Sequence, residues 1–81
     1  MNEKEMTAQL DTKGLFCPEP VMMLHAKIDE MAAGEILHIV ATDPSTTRDI
    51  PKFCKFLGHE LLATESDDLT YSYWVKKGAS S

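Results

Sequence analysis

The hydrophobic and polar positions of this chain predict short strands alternating with helices. Residues 8–12 alternate between apolar and polar side chains, which predicts a first strand that Gly14 ends. Residues 35–42, EILHIVAT, are almost continuously apolar. This run predicts a central strand buried on at least one face, with His38 facing the surface or hydrogen-bonded rather than catalytic.

The C-terminal third predicts a hairpin. Residues 59–65 form one predicted strand, ESDD at 65–68 the turn, and residues 69–76 the final strand. Trp74 lies on the opposite face of that strand from its four alternating apolar residues, which are Leu69, Tyr71, Tyr73 and Val75.

A first helix is predicted over residues 18–33, and Gly34 is placed to end it. Its apolar stripe contains Val21, Leu24, Ile28, Met31 and Ala32.

A second helix is predicted to begin within residues 43–49, where Ser45, Thr46, Thr47 or Asp49 could cap it. Pro51 is expected in its first turn, where proline is tolerated, and Gly58 is expected to end it. Its packing stripe contains Ile50, Phe53, Cys54 and Leu57.

The predicted order is therefore βαβαββ, an α+β fold. We expect a two-layer α/β sandwich, in which a four-stranded mixed sheet carries both helices on one face. A single domain is predicted over residues 7–78, after a flexible N-terminus at 1–6. Because strands one and two should be parallel, their carboxyl ends share an edge. Cys17 should thus lie beside the segment from Asp43 to Asp49, with Arg48 within reach of the thiol.

Composition narrows the function classes. The chain has 81 residues and a formal net charge of −5, from 13 acidic and 8 basic side chains. Gripping a phosphate backbone needs clustered cations, so direct nucleic-acid binding is not expected and protein partners are. The sequence shows no apolar run long enough for a membrane span and no signal-peptide core. We therefore expect a cytoplasmic monomer that does not associate with a membrane.

The segment GLFCPEP, residues 14–20, carries the candidate chemistry. Cys17 is expected at the N-cap of the first helix and Pro18 at the first helical position. Helix N-termini lower the pKa of cysteine thiols. The negative charge of Glu19 opposes that effect, and Pro18 and Pro20 lack the N–H groups that could hydrogen-bond the sulfur. We therefore predict only a moderate lowering of the thiol pKa, with Arg48 or a basic partner lowering it further.

The other cysteine, Cys54, lies 37 positions from Cys17 and is expected in the core. Without a neighbouring thiol to discharge it, a sulfur atom attached to Cys17 would persist until a partner took it, which is how a carrier behaves. The three histidines lack zinc-site spacing, and neither a metal nor a cofactor is predicted.

Three segments together resemble the TusA/SirA-type family of sulfur carriers, and its TusA branch most closely. GLFCPEPVMML at 14–24 resembles the CPxP signature, DPSTTRDIPKFCKFLGHEL at 43–61 the second helix region, and YSYWVKKG at 71–78 the last strand. The likeness extends from about residue 9 to residue 78. It implies the same βαβαββ sandwich.

The resemblance also implies a cofactor-free sulfurtransferase. In such carriers the cysteine of CPxP, here Cys17, accepts sulfane sulfur from a cysteine desulfurase as a persulfide. It passes the sulfur to a downstream relay complex for 2-thiolation of the tRNA wobble uridine, and some members supply other pathways such as molybdenum-cofactor synthesis. Relatives often carry Arg where this chain has Phe16 and are basic near His25, so the thiol here has fewer neighbouring cations.

Two other functions are compatible with the residues. Met22 and Met23 lie off the apolar stripe, where they either fill the core edge or form a partner-docking surface close to Cys17. A regulatory interaction module would use that surface and leave Cys17 incidental. A thiol–disulfide redox protein would require Cys17 and Cys54 to pair.

Overall fold

The computed structural model describes residues 8–78, which form a four-stranded sheet with two helices on one face. The predicted order βαβαββ is confirmed. The elements are β1 (Ala8–Thr12), α1 (Glu19–Asp29), β2 (Ile36–Ala41), α2 (Thr46–Leu57), β3 (Glu60–Asp67) and β4 (Thr70–Lys76).

The sheet has the strand order β1-β2-β4-β3. β1 and β2 are parallel, as the crossover through α1 predicts. β4 pairs antiparallel with both β2 and β3, so the last strand lies between β2 and its own hairpin partner. The parallel pair places the loops that follow β1 and β2 at one edge of the sheet.

β2 shows why an almost wholly apolar strand can hold a histidine. Leu37 and Ile39 face the helices and are fully buried, whereas His38 points to the other face. There the His38 ring stacks on Trp74, with ring centroids 4.5 Å apart and planes 7° apart. Burial lowers the pKa of His38, and neither ring nitrogen has a hydrogen-bond partner among residues 8–78. At neutral pH the stack is therefore uncharged.

The core lies between the helices and the inner face of the sheet, and both predicted helical stripes contribute to it. Two stripe residues do not: Ala32 is exposed and Leu57 retains 39% of its surface. The buried core cluster contains Leu24, Ile28, Met31, Leu37, Ile39, Ile50, Cys54, Tyr73 and Val75.

The first helix ends earlier than predicted, at Asp29 instead of residue 33. The backbone beyond it is satisfied by the rest of the fold. Lys77 Nζ donates to the Met31 carbonyl (2.6 Å), and the Glu35 carboxylate accepts the Ala32 N–H (2.8 Å). Gly34 has φ +92° and serves the turn into β2, donating to the Lys77 carbonyl (2.9 Å).

The hairpin turn and Pro51 also differ from prediction. β3 extends through Asp67, so the turn lies at Asp68 and Leu69, and the Leu69 side chain is 78% exposed. β3 is an edge strand with several exposed positions, so it accommodates polar residues that a pattern assigns to a turn. Pro51 lies in the second turn of α2, where the Thr47 carbonyl loses its helical N–H donor.

Candidate functional site

The loops that leave β1 and β2 are joined by hydrogen bonds. The Thr12 hydroxyl is fully buried and donates to the Val40 carbonyl (2.8 Å). The Gly14 N–H donates to Thr42 Oγ1 (2.9 Å). Gly14 has φ +86°, a conformation that disfavours side chains, and this turn directs the chain towards Cys17.

Asp43 holds Cys17 in place. One carboxylate oxygen accepts the backbone N–H of Cys17 and the Ser45 hydroxyl (2.8 Å), and the other accepts the Ser45 N–H (3.0 Å). These donors, the Ser45 N–H foremost, lower the pKa of Asp43, so the group is ionised at neutral pH. The predicted proximity of Cys17 to Asp43 is confirmed.

A buried chain of hydroxyl groups supports the Asp43 loop. Thr46 Oγ1 donates to the Asp43 carbonyl (2.7 Å), so the Tyr73 hydroxyl, 2.8 Å from Thr46 Oγ1, acts as the donor to it. Thr46 and Tyr73 are each 2% exposed. This hydrogen bond fixes the start of α2 to β4 of the sheet.

The Cys17 thiol is exposed and contacts α2 through Asp49. Sγ donates to Asp49 Oδ2 at 3.1 Å. Arg48 was predicted within reach of the thiol, and its Nε lies 3.3 Å from the other Asp49 oxygen, Oδ1. Arg48 thus pairs with the carboxylate that the thiol contacts.

The prediction that Cys17 is the N-cap of α1 and Pro18 its first helical residue is wrong. Pro18 occupies the N-cap position, Glu19 and Pro20 follow as the first helical residues, and the Cys17–Pro18 peptide bond is cis. The Glu19 N–H donates to the Phe16 carbonyl (2.8 Å). Since the prolines have no N–H, the helix offers the sulfur little hydrogen bonding at its start.

The predicted acidification of Cys17 is wrong. The hydrogen bond to Asp49 is the largest cause that raises the pKa of the Cys17 thiol above its ordinary value. Partial desolvation and the negative charges of Asp49 and Asp43 act in the same direction, whereas the Ser45 hydroxyl acts against them. The thiol is therefore protonated at neutral pH.

Cys54 is packed in the core, as predicted. It is 2% exposed, and burial raises its pKa to about 11. Cys17 and Cys54 are both free thiols. A disulfide between them, which the redox alternative requires, is not formed.

Exposed apolar side chains lie in the loop directly before Cys17 and on the two helices beside it. Phe16 and Met22 are 70% and 61% exposed, and Met23 is 37% exposed. Phe56 on α2 is 86% exposed. It borders a shallow cavity of about 290 Å³ together with Val21, Asp49, Lys52 and Phe53.

Three further features of residues 8–78 concern metal binding, membrane spanning and cavities. No cluster of three or more metal-ligating side chains occurs in this range. None of its helices is long and apolar enough to cross a bilayer. A larger cavity, of about 600 Å³, lies between the C-terminal halves of α1 and α2, away from Cys17, and is lined by His25, Phe53 and His59 among others.

The chain is similar to known proteins along nearly its whole length. The family model described as "Sulfurtransferase TusA" matches residues 8–77. The chain belongs to the TusA family. It is 61% identical over 70 residues to a sulfur carrier protein TusA of Pseudomonas syringae pv. syringae, covering 86% of this chain and 83% of that protein. A sulfur carrier protein TusA of Pseudomonas entomophila is 62% identical over 72 residues, covering 89% and 90%.

A solved structure of a SirA-like protein from Desulfitobacterium hafniense shares the fold, with a TM-score of 0.78. It is 19% identical and covers 89% of this chain and 99% of that one. Membership of the TusA family makes sulfur carriage the role of this chain, and thus implies a sulfur donor and a downstream acceptor.

Sequence reasoning missed two features of this TusA-family site. Asp49 was considered as a helix cap and as part of the neighbouring segment, but not as the partner of the thiol. A clue was available, because Asp49 lies in the first turn of a helix that leaves the same sheet edge. Phe56 was not singled out, although it falls off the stripe of α2 and could have been predicted to be exposed.

The Thr46–Tyr73 contact predicts a stability effect. Tyr73→Phe should lower the free energy of unfolding by about 1 kcal/mol, since one buried hydrogen bond is lost while Thr46 keeps its bond to Asp43. Urea denaturation measures this. Tyr71→Phe, at a half-buried position on the same strand, is the matched control and should change stability by less than about 0.5 kcal/mol. Equal effects of the two substitutions would contradict the support that Tyr73 gives to the loop.

The two thiols should differ in reactivity. In the folded protein, iodoacetamide should modify Cys17 alone, and the rate should rise with pH through a midpoint above the ordinary pKa of a cysteine thiol, because the pKa of Cys17 is raised. Cys54 should react only after denaturation. Mass spectrometry of labelled peptides measures both, with Cys17→Ser as the control that stays unlabelled when folded. Labelling of native Cys54 at a similar rate would contradict its burial.

Proposed function

We propose that Cys17 accepts sulfane sulfur from a cysteine desulfurase as a persulfide and passes it to a relay protein complex for 2-thiolation of the tRNA wobble uridine. The observation that supports this most is an exposed Cys17 thiol at the sheet edge, with the other thiol buried in the core. A persulfide on Cys17 would meet no internal thiol able to discharge it.

The transfer is an exchange between a thiol and a persulfide. Cys17 Sγ attacks the terminal sulfur of the desulfurase persulfide, and a new S–S bond forms as the donor's S–S bond breaks. The electron pair leaves on the donor sulfur, which ends as a thiol once it gains the proton that Cys17 lost. The overall change is thiol plus persulfide to persulfide plus thiol, so no external oxidant or cofactor is needed.

The residues around Cys17 have supporting roles in this proposal. Asp43 fixes the Cys17 backbone by accepting its N–H. The helix that follows the loop carrying Cys17 begins with Pro18, Glu19 and Pro20. Arg48 orients the Asp49 carboxylate. We place the protein in the cytoplasm as a monomer that acts on protein partners and leaves the tRNA to a downstream enzyme, in line with its charge of −5.

We assign docking of the partners to Met22 and Met23, for which the sequence analysis left open either a docking surface or the edge of the core. Both lie in the first half of α1, and Met22 is 61% exposed. Methionine is common at surfaces that bind several partners, because its flexible side chain adapts to each. A carrier that meets both a donor and an acceptor needs such a surface.

Sulfur loading tests the proposed transfer. After incubation with a cysteine desulfurase and L-cysteine, the protein should gain the mass of one sulfur atom on Cys17, and dithiothreitol should remove it. Cys54→Ala should still gain it, and Cys17→Ser should not.

A wild type without the adduct, or an undiminished adduct in Cys17→Ser, would overturn the proposal. In cells that lack the native protein, Cys17→Ala should fail to restore 2-thiouridine at the tRNA wobble position. Full restoration by Cys17→Ala would favour the regulatory module. Loading without any effect on 2-thiouridine would favour a different sulfur acceptor, such as molybdenum-cofactor synthesis.

The docking role predicts a separate effect. Met22→Gln, of similar size but polar, should raise the carrier concentration needed for half-maximal sulfur loading by about tenfold, as for an interface anchor worth about 1.4 kcal/mol. The maximal rate should change little. Leu69→Gln is the matched control, since Leu69 is also exposed but lies on the β3–β4 turn. Equal loading curves for Met22→Gln and Leu69→Gln would rule out docking through Met22.

A further inference from the structure

We propose that Asp49 is the proton acceptor of Cys17 during sulfur transfer and returns that proton to the departing donor sulfur. The inference rests on the proposed function, because it assigns a role within that transfer step. Asp49 would then be a catalytic residue, since it touches the reacting sulfur.

The geometry joins the carboxylate directly to the reacting atom. Cys17 Sγ lies 3.1 Å from Asp49 Oδ2, and the Asp49 side chain is only 21% exposed. At this distance the thiol donates a hydrogen bond to the carboxylate, whereas a thiolate would be repelled by the negative charge of Asp49. Arg48 Nε, 3.3 Å from Oδ1, restrains the group from its other side and leaves Oδ2 to the thiol.

The other acid beside the thiol is already occupied. The Asp43 oxygens accept the Cys17 N–H, the Ser45 N–H and the Ser45 hydroxyl, so their role is structural. Among the described residues, the charged groups that face the Cys17–Asp49 pair are Asp43 from the loop after β2 and Arg48 from α2, with Lys52 beside Asp49 at the neighbouring cavity. Of the two acids, Asp49 is the one that contacts the sulfur.

The step balances in atoms and electrons. As Cys17 Sγ bonds to the terminal sulfur of the donor persulfide, its proton moves to Asp49 Oδ2. The donor S–S bond breaks, its electron pair goes to the donor sulfur, and the proton on Asp49 passes to that sulfur. Asp49 ends in the same protonation state in which it began, and the sulfane sulfur has moved to Cys17 with its own hydrogen.

Asp49→Asn tests this role, because it should move two rates in opposite directions. Without the carboxylate the thiol pKa falls, so modification by iodoacetamide at neutral pH should rise several-fold. Iodide leaves without a proton, so alkylation senses only the thiolate. Sulfur loading by a cysteine desulfurase with L-cysteine should fall at least about tenfold in maximal rate, since general acid–base catalysis is lost. The carrier concentration for half-maximal loading should stay unchanged.

The controls separate this role from structural damage. Asp68→Asn removes a carboxylate from the β3–β4 turn, at a residue with φ +48° that asparagine also adopts, and both rates should stay at wild-type values. Asp49→Glu, which keeps a carboxylate, should recover part of the loading rate. If Asp49→Asn does not fold, Asp49→Ser replaces it, since it removes the carboxylate but keeps a small polar side chain.

Each result has one meaning. Faster alkylation with slower loading supports the proton-acceptor role. If the alkylation rate and the loading rate both fall, the substitution has damaged the structure. If both rates rise, Asp49 only restrains the thiol, and if neither changes, Asp49 has no role. All three outcomes overturn the inference. If the wild type never takes up sulfur, both the proposed function and this role are overturned. If the wild type takes up sulfur and Asp49→Asn loads at the same rate, only this role is overturned.

Discussion

The hydrogen bonds of the Asp43 carboxylate are the interaction on which the site depends. They join the loop after β1, through the Cys17 N–H, to the start of α2, through Ser45. The two loops lie side by side only because β1 and β2 are parallel. An ionised carboxylate with several donors makes stronger bonds than a neutral acceptor, so it fixes a segment that two prolines deprive of backbone donors.

Much of this arrangement could be predicted from the sequence because the local patterns and the topology agree. Alternation in residues 8–12 and a nearly continuous apolar run in 35–42 are typical of an edge strand and a central strand. A helix between them requires a crossover, and the crossover makes the strands parallel. The placement of Cys17 beside Asp43 follows from that geometry alone.

The errors arose where distant residues replace local ones. The end of α1 depends on the Lys77 ammonium, which takes the Met31 carbonyl from 46 positions away. The length of β3 depends on pairing with β4, which permits polar residues on an edge strand. No periodicity within a segment reports such partners, so the patterns extended the helix and shortened the strand.

The acidity of Cys17 was misjudged for a related reason. A cysteine followed by proline at a helix start suggests a positive environment. In the structure, however, Pro18 is the N-cap and α1 begins at Glu19, beyond the thiol. What then faces the sulfur is the side chain of Asp49, 32 positions along the chain. Two carboxylates close to the sulfur outweigh the single hydroxyl that favours the thiolate. The sign of a pKa shift follows the nearest groups in space, and the sequence fixes those only through the fold.

A protonated thiol suits a carrier better than a permanently ionised one. Oxidants and electrophiles attack the thiolate form of cysteine, so a protonated thiol is less susceptible to these side reactions. In the proposed transfer, a thiol held by a carboxylate would react slowly until a persulfide is placed against it, and the same carboxylate would then take the proton. In the proposed function, selectivity would come from proximity, because a sulfur donor docked beside Cys17 would be at a higher local concentration than the electrophiles free in solution.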